Sequence, residues 1–325
     1  MLEVATITFA EGNSPRYGLV VGGFLYIACW DWSGGIAKVV KIDLSAFTYV
    51  SALTIYNADG RASGLAASGG YLYCGVGQDP GHIVKVNIAT FSVEATLDMV
   101  GYPSQVMGLA TDSSYVYATP YQSGDPIWKI DLSTFTEVDS AVSTGGSGKH
   151  PLIYDSHLYY ISGQILKKAT ISPLAEIATL GLGVAYHDDA CIARIGGFIF
   201  TTENGDPSRM CKVDLSTFTK VDELALSSPS PQDIVASNGF LYTCHYFSNK
   251  VIKIDPDSLS EADEITLSGS ANNIRVIAAN PNLYIGSNLS PGRVTKVTDE
   301  IPVAARKGNI VIDQLIYQHA ERMRR

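Results

Sequence analysis

Long apolar runs are missing from this 325-residue sequence. No stretch approaches the roughly 18 uninterrupted apolar residues of a membrane-spanning helix, so no membrane segment is expected. The opening residues, MLEVATITFAEG, have neither the basic nor the apolar region of an export signal, which predicts a cytoplasmic protein. Charged residues make up only 17% and the net charge is −9. This argues against a nonspecific nucleic-acid binder, because binding to phosphates needs a basic face.

Compact metal and redox motifs are also missing. The five cysteines show no CxxC spacing, and their odd number does not fit a disulfide framework. They are Cys29, Cys74, Cys191, Cys211 and Cys244. Most fall in apolar, strand-like runs, where a free thiol behaves as a small hydrophobe, so buried and reduced cysteines are expected. No ligand motif such as HExxH occurs, and no cofactor is predicted.

What the sequence does have is a repeat of about 42 residues. The segment KIDLSTFTEV at 129–138 has near-copies at 41–50, 85–94, 212–221 and 253–262. Its first lysine recurs at Lys41, Lys85, Lys129, Lys167, Lys212, Lys253 and Lys296. An aromatic residue ends a short LY-like run in every unit, at Tyr26, Tyr73, Tyr117, Tyr159, Phe200, Tyr242 and Tyr284. Two markers with one period indicate a repeat architecture of seven units.

Each unit is predicted to form four short antiparallel strands. In one unit these are ASGLAAS (62–68), YLYCGVG (71–77), HIVKVNI (82–88) and VEATLDM (93–99). Such a sheet has two apolar faces, and a closed ring of sheets covers all of them. The predicted fold class is therefore all-β, a seven-bladed β-propeller over residues 1–298. The seventh unit lacks a fourth strand, and LEVATITF at 2–9 matches that pattern, so the N-terminal strand is expected to close the last blade.

An L-Y-(V/I) strand followed by VxKID and T(F)xxVxTL resembles the seven-bladed β-propellers of the YVTN and NHL type. The resemblance covers about residues 1–298. It implies a fold better than a function, since such propellers include lyases, lactonases, receptors and scaffolds. The WD dipeptide occurs once, at Trp30 and Asp31, and does not recur in the other repeats, so the residues do not support a WD-repeat assignment.

The recurring lysine and aspartate are interpreted as structural. Lys129 and Asp131 lie two residues apart and share one face of a strand. The oxygens of Asp131, Ser133 and Thr134 are expected to bond to backbone N–H groups of the hairpin between the third and fourth strands. The lysine is expected to lay its methylenes over a neighbouring blade and to keep its ammonium in water. Seven outward-pointing copies cannot converge on one substrate.

A ring of polar residues is predicted at the channel mouth, just before each first strand, since loops on a rigid scaffold carry binding residues. Its members are Arg16, Arg61, Gln105, His150, Asp188, Asp189, Gln232, Asp233, Asn272 and Asn273. A water-filled channel needs a polar lining in any case. His82 and His157 fall within or beside strands and are interpreted as packed or edge residues.

Part of this ring has the chemistry of a metal or acid–base site. The residues concerned are His150, His187, Asp188, Asp189, Asp233 and His245. The enzymatic alternative is a hydrolase or lyase, of the kind that the resemblance to propeller lactonases and streptogramin lyases implies. Its catalytic candidates are His150, His187, Asp188 and Asp189, and its metal candidates are His150, His187, Asp189 and His245.

Aromatic residues on the loops between second and third strands indicate a different class of function. Trp30, Trp32, Tyr121, Tyr246 and Phe247 are predicted to anchor a protein or carbohydrate partner. The alternative is that these side chains pack over the tops of the blades.

The repeat stops after Lys296, and residues 299–325 are predicted to be a separate C-terminal extension. An amphipathic helix is expected over about 310–323, with Ile312, Leu315, Ile316, His319 and Met323 on one stripe. The stripe either folds back on the propeller or docks on another chain. Because the N-terminal strand already closes the ring, docking on a partner or self-association is favoured.

These features favour a non-enzymatic interaction or scaffold module, attached to a larger assembly through its C-terminal helix. The tail and the near-perfect DLSTFT repeats also resemble propeller proteins that are accessory parts of bacteriophage virions.

Overall fold

The computed structural model describes residues 1–299, apart from residues 11–12, 31–34, 58–59, 78, 100–104, 121–123, 144–147, 184–190, 206, 269–273, 279–281, 288 and 290. Only the backbone is described at residues 30, 148–149 and 274–278. The described part of the chain forms 28 β-strands in seven four-stranded antiparallel sheets. Each sheet corresponds to one repeat of the sequence, so the predicted seven blades are confirmed.

Blades 1 to 3 each use four consecutive strands. Blade 1 contains β2 (Pro15–Val21), β3 (Phe24–Trp30), β4 (Ala37–Asp43) and β5 (Thr48–Tyr56). Blade 2 contains β6 (Ala62–Ser68), β7 (Tyr71–Val76), β8 (His82–Asn87) and β9 (Ser92–Asp98). Blade 3 contains β10 (Val106–Thr111), β11 (Tyr115–Pro120), β12 (Pro126–Asp131) and β13 (Thr136–Val142).

Blades 4 to 6 follow the same order. Blade 4 contains β14 (Gly148–Tyr154), β15 (His157–Ser162), β16 (Ile165–Ile171) and β17 (Leu174–Gly181). Blade 5 contains β18 (Cys191–Ile195), β19 (Phe198–Glu203), β20 (Arg209–Asp214) and β21 (Thr219–Ala225). Blade 6 contains β22 (Pro231–Ser237), β23 (Phe240–His245), β24 (Lys250–Asp255) and β25 (Ser260–Thr266).

Blade 7 joins the two ends of the repeat array. It contains β26 (Ile274–Ala278), β27 (Asn282–Ser287), β28 (Gly292–Thr298) and, as its outer strand, β1 (Leu2–Phe9). Strand β1 pairs antiparallel with β28, from Leu2 opposite Thr298 to Phe9 opposite Gly292. The predicted closure by the N-terminal strand is confirmed. The first strand of each blade contacts that of the next all the way round, including β26 with β2.

Burial within a blade follows strand position. The second strands are almost wholly buried, and the third strands nearly so, because both of their faces are covered by neighbouring blades. The fourth strands β9, β13 and β21 are mostly exposed. The core therefore lies between the blades, in separate clusters that each combine residues of adjacent blades. All five cysteines are buried in these clusters and none forms a disulfide, as the sequence predicted.

The phenylalanine of the STFT segment joins neighbouring blades. Its φ is positive, +49° at Phe47 and +53° at Phe135, which turns the hairpin between third and fourth strands toward the preceding blade. Ring pairs across blade boundaries are Phe47–Tyr284, Phe91–Tyr26, Phe135–Tyr73 and Phe218–Tyr159. Their centroids lie 5.8–6.4 Å apart, within the usual range for aromatic pairs. The repeated phenylalanine and the repeated tyrosine of the second strand therefore form one contact between neighbouring blades.

The repeated aspartate fixes the same hairpin, as predicted. Asp131 Oδ1 accepts hydrogen bonds from the backbone N–H groups of Ser133 (2.8 Å) and Thr134 (3.0 Å) and from Ser133 Oγ (2.6 Å). Asp43 and Asp214 make the same bonds. The serine hydroxyl and the backbone N–H groups stabilise the carboxylate, so the pKa of each of these aspartates is lowered.

The prediction that the repeated lysines keep their ammonium groups in water is wrong for three of them. Lys129, Lys167 and Lys253 are 8%, 0% and 7% exposed. Lys129 Nζ donates to the carbonyl of Ile171 in the next blade at 2.7 Å and lies 4.1 Å from the ring centroid of Tyr115. The hairpin of the following blade covers the ammonium. A backbone carbonyl or a carboxylate therefore takes the place of water.

Residues 300–325 of the C-terminal extension lie outside the described residues. The predicted helix over 310–323, its stripe and the boundary at 298/299 therefore stay predictions. Among the described residues, no helix has the length and apolarity needed to cross a membrane.

Candidate functional site at the channel mouth

The first strands of the blades line a central cavity of about 300 Å³, called here the channel cavity. Six blades contribute to its wall, through β2, β6, β10, β14, β18 and β22. Most of the lining is glycine and aliphatic side chains. Of the described members of the predicted polar ring, His150 and Asp233 line this cavity, whereas Arg16, Arg61, Gln105 and Gln232 are not among its lining residues.

A β-bulge interrupts five of the first strands at this end of the blade. The register shifts at Arg16 in β2, Ser63 in β6, Met107 in β10, His150–Pro151 in β14 and Gln232 in β22. A bulge inserts an extra residue and re-aims the side chains next to it. Arg16, His150 and Gln232 of the predicted ring therefore lie in bulges, whereas Arg61 and Gln105 directly precede their strands.

Three side chains from neighbouring blades meet beside the cavity. His150 Nε2 lies 3.1 Å from Cys191 Sγ, and His150 Nδ1 lies 3.8 Å from Asp233 Oδ1. Cys191 and Asp233 are buried, at 1% and 6% exposure. One nitrogen, sulfur or oxygen atom from each residue lies within 4.8 Å of the other two. These residues, named here the His150–Cys191–Asp233 cluster, come from blades 4, 5 and 6.

The backbone positions each member of the cluster. His150 has φ +48°, in the left-handed region that a non-glycine residue seldom adopts, and Pro151 follows it. Pro151 is seated against Gly108 of blade 3, where a Cβ would approach Pro151 Cδ to 2.3 Å. Asp233 Oδ1 accepts the N–H of Ile234 at 2.9 Å. Local strain of this kind is typical of functional sites, where the surrounding structure maintains it.

Two further contacts hold the cluster. Cys191 Sγ donates to the carbonyl oxygen of Gln232 at 3.2 Å. The ring of Tyr17, from blade 1, lies 5.5 Å from the ring of His150 and also lines the channel cavity. Blades 1 and 4 are not neighbours in the propeller, so Tyr17 contacts His150 across the central channel.

Sequence reasoning missed Cys191, which it placed among the inert thiols. A signal was present: His150, Cys191 and Asp233 are spaced by about one repeat, so they occupy matching positions in successive blades. Such positions converge on the channel in a closed ring. The residues around Cys191 are mostly apolar, so the sequence favoured an ordinary buried thiol at this position.

Among the described residues, His245 is the one other predicted metal and acid–base candidate, and it does not join the cluster. His187, Asp188, Asp189, Asn272 and Asn273 lie outside the described residues. His245 is fully buried; its Nε2 lies 2.9 Å from Thr243 Oγ1 and its Nδ1 lies 3.1 Å from the carbonyl oxygen of Pro229. Burial lowers the pKa of His245, so this imidazole is neutral and ties the end of β23 to the loop before β22.

The remaining histidines have structural partners. His82 Nδ1 lies 2.8 Å from Asp98 Oδ1, and its ring stacks on Tyr56 with centroids 4.5 Å apart. His157 Nδ1 lies 2.6 Å from the carbonyl oxygen of Asp155 in the β14–β15 turn. The interpretation of both as packed or edge residues is consistent with these contacts.

Two of the predicted aromatic anchors, Tyr246 and Phe247, are described in full. The loop from β23 to β24 carries Tyr246 and Phe247, whose ring centroids lie 4.5 Å apart in an edge arrangement. Phe247 is 65% exposed, so it does not pack over the blade. The loop is fixed by the Tyr246 N–H, which donates to the Ser230 carbonyl at 2.9 Å, and by the Ser228–Ser248 hydroxyl pair at 2.7 Å. Trp32, Tyr121 and the side chain of Trp30 lie outside the described residues.

Comparison with known proteins identifies the fold. No family model and no curated protein matches the sequence. A chain in the crystal structure of the mitotic checkpoint complex superposes with a TM-score of 0.76 at 12% identity, covering 91% of both chains. The WD40 β-propeller domain of Doa1 superposes with a TM-score of 0.71 at 17% identity, covering 92% of this chain and 96% of that domain. At these identities the likeness establishes the β-propeller fold alone.

Proposed function

We propose that the protein is a non-enzymatic interaction module, a rigid propeller whose channel-mouth face binds a protein partner. The observation that carries the proposal is Phe247, a large apolar side chain left 65% exposed on a loop that is itself fixed by hydrogen bonds. Exposed aromatic side chains of this type often become buried anchors when a partner binds. A loop that is already ordered loses less conformational entropy on binding.

The position of this aromatic pair supports a protein rather than a small molecule as the ligand. The β23–β24 loop lies beside the loop that precedes β22, at the same end of blade 6 as Asp233, which lines the channel cavity. Burial of Phe247 and Tyr246 by a partner would remove apolar area from water and cover the neighbouring serine hydroxyls at the rim. The similar propellers found in multiprotein complexes are compatible with this use of the fold, which many functions share.

The C-terminal extension would supply the second contact of the module. Its predicted stripe of Ile312, Leu315, Ile316 and Met323 would dock on another chain and anchor the propeller in a larger assembly, such as a virion. The support comes from the fold: β1 already completes blade 7, so the described propeller has no unfilled strand position for the extension. A relation to YVTN or NHL propellers rests on the same repeat residues that gave the resemblance.

Comparing the proteins captured by wild type and by variants tests whether the surface around Phe247 binds a partner. Immobilised wild-type protein, Phe247→Ser and Val138→Ser would be exposed to extract of the native cell. Val138 is the matched control, because it is 52% exposed but lies on the outer strand β13. A partner that the wild type and Val138→Ser retain should bind Phe247→Ser at least about 30-fold more weakly, the effect of losing an anchor worth about 2 kcal/mol. Equal retention by all three proteins would remove Phe247 from the interface.

Deletion of residues 305–325 tests the anchor. Sedimentation analysis of the full chain and the deletion variant should show self-association, or assembly with the captured partner, only for the full chain. A deletion variant that assembles normally would show that the extension is not the anchor, whatever the result at Phe247.

A second candidate is a hydrolase or lyase at the channel mouth. The observation that favours it is the His150–Cys191–Asp233 cluster, in which an imidazole stands between a thiol and a carboxylate at the wall of the channel cavity. Hydrolysis of lactone or ester substrates that is abolished by His150→Gln, with unchanged thermal stability, would support this candidate over a pure interaction module.

A further inference from the structure

We propose that the His150–Cys191–Asp233 cluster binds a divalent transition-metal ion, with Zn²⁺ as the best match. The proposal is independent of any protein partner. Each residue provides one donor atom of a different kind, an imidazole nitrogen, a sulfur and a carboxylate oxygen, and these atoms lie within 4.8 Å of one another.

The spacing is close to that of a tetrahedral site. Bonds of about 2.0–2.3 Å to zinc place neighbouring donor atoms about 3.5 Å apart. One donor atom from each of His150, Cys191 and Asp233 lies within 4.8 Å of the other two, which is wider than in a bound tetrahedral set. The two short contacts, 3.1 Å from Cys191 Sγ to His150 Nε2 and 3.8 Å from Asp233 Oδ1 to His150 Nδ1, use different nitrogens of His150, and only one of these would bind the ion. Binding would therefore need side-chain rotations that bring the three donors closer to a common point.

The donor set selects the class of metal. Ca²⁺ and Mg²⁺ take oxygen ligands almost exclusively, whereas a thiolate with an imidazole is typical of zinc and of other late transition metals. The charges of a thiolate and a carboxylate together balance that of a divalent ion. This matters because Cys191 and Asp233 are 1% and 6% exposed, and buried charges are stable only when they are compensated.

The scaffold holds the donors before any ion binds. They belong to β14, β18 and β22, the inner strands of three consecutive blades, so no loop has to fold around the metal. The strained bulge at His150, supported by Pro151 against Gly108, aims the imidazole at blade 5. A preformed site of this kind binds with little loss of conformational entropy.

Three protein ligands leave a fourth position, which in zinc sites of this composition holds water or a substrate. His150 and Asp233 line the channel cavity of about 300 Å³, so the fourth ligand would enter from that cavity. The cavity is large enough for a small molecule at the low end of the usual range of binding pockets.

Coordination has a defined proton balance. Cys191 must bind as the thiolate, so the proton that Sγ now shares with the Gln232 carbonyl passes to solvent as the sulfur–metal bond forms. No electron is transferred. One proton should therefore appear in solution for each ion bound, measurable by calorimetry in buffers of different ionisation enthalpy.

The test uses the tag-free full chain, stripped with a chelator and titrated with ZnCl₂ and, separately, CoCl₂. We expect one ion per chain and, with Co²⁺, a thiolate-to-metal charge-transfer band in the near ultraviolet. Cys191→Ser should lose this band. Cys191→Ser, His150→Gln and Asp233→Asn should each weaken Zn²⁺ binding by more than 10-fold, since about 10- to 100-fold follows even from changing residues that only support ligands.

Cys74→Ala is the matched control, because Cys74 is also a fully buried strand cysteine but lies in blade 2. It should keep the affinity and the band of the wild type. Circular dichroism and melting curves identify any variant that does not fold. If one of the three ligand variants is unfolded, Zn²⁺ binding by the two folded ones decides the result. Binding well below one ion per chain, or a cobalt band that survives Cys191→Ser, would overturn the proposal.

Discussion

The ring of Phe47 in blade 1 packs against the ring of Tyr284 in blade 7, with centroids 5.8 Å apart. The same contact joins Phe91 to Tyr26, between blades 2 and 1. The contact that holds two consecutive repeats together is therefore reused between the first and the last repeat. Together with the pairing of β1 and β28, it makes the junction of blades 7 and 1 equivalent to the others.

Removal of Phe47 should weaken this junction. Phe47→Ala removes the ring but keeps a non-glycine residue at φ +49°, so the backbone strain is common to both proteins. We expect the free energy of unfolding to fall by about 1–3 kcal/mol, as for loss of a partly buried aromatic pair. Urea denaturation followed by circular dichroism measures it. Val50→Ala, at a 47% exposed position on β5, should change stability by less than about 0.5 kcal/mol. Similar losses in both variants would contradict this assignment.

Acid should weaken the hairpins that the repeated aspartates fix. Hydrogen bonds from Ser45, Ser133 and Ser216 and from the backbone lower the pKa of Asp43, Asp131 and Asp214 in the folded state. Their contribution to stability is therefore complete above the unfolded-state pKa of about 3.9 and is lost as the pH falls through the lower folded-state values.

The triple variant Asp43→Asn, Asp131→Asn, Asp214→Asn tests this pH dependence. Asparagine keeps the acceptor oxygen, as Asn87 does in blade 2, where its Oδ1 accepts the N–H groups of Ala89 and Thr90. Unfolding free energy measured between about pH 5 and pH 2 should fall less steeply in the variant than in the wild type. Parallel curves would show that other carboxylates govern the acid response.

Loss of the buried ammonium of Lys167 should be costly. Lys167 is 0% exposed, and its Nζ donates to Glu176 Oε2 at 3.0 Å, an atom that also accepts from the Tyr160 hydroxyl. Lys167→Met removes the charge partner of a mostly buried carboxylate, so we expect a loss of about 3 kcal/mol. Adding Glu176→Gln should restore part of it.

The exposed pair Lys220–Glu223 is the control for that experiment, with side chains 33% and 44% exposed. Lys220→Met should change the free energy of unfolding by no more than about 1 kcal/mol. Thermal or urea denaturation of the wild type and the three variants gives the comparison. A Lys167 effect as small as that of Lys220 would show that burial does not strengthen the pair.

A methyl group at Gly108 should disturb the bulge that carries His150. The new Cβ would lie 2.3 Å from Pro151 Cδ and 2.8 Å from Thr119 Oγ1, so Gly108→Ala must displace Pro151. We expect destabilisation of about 1–3 kcal/mol, typical of overpacking. Gly181→Ala has no heavy atom within 4 Å of its Cβ and should be neutral or slightly stabilising. Melting temperatures distinguish the two, and equal values would show that blade 3 yields to the methyl group.

The sequence predicted the blades and their closure because both depend on local patterns. Each strand is recognisable from the alternation of a few residues, and the repeated segment shows how many blades there are. The fourth-strand pattern at Leu2–Phe9, which precedes the first repeat, indicates the closure. The burial of Lys167 and Lys253 was not predictable in this way, because it depends on carboxylate partners outside the repeated segment, Glu176 for Lys167 and Asp299 for Lys253.

The candidate site was predictable only in part. His150 and Asp233 were recognised from residue type and position, but Cys191 was not, since its side chain reaches His150 only through the curvature of the ring and the bulge before Pro151. His245 is also a possible metal ligand and lies in blade 6 with Asp233, but its Nε2 lies within hydrogen-bond distance of Thr243 Oγ1 and it is not part of the cluster. Residue type alone does not distinguish these two outcomes.

The pairing of β1 with β28 also sets an order for biosynthesis. Among the described strands, Leu2–Phe9 leaves the ribosome first and its partner Gly292–Thr298 leaves last. At translation rates of about 5–20 residues per second, the nascent chain holds an unmatched strand for tens of seconds. The propeller therefore closes only after the whole repeat array has been synthesised. A nascent chain that stalls before β28 would leave the hydrogen-bonding edge of β1 unpaired and exposed to other chains.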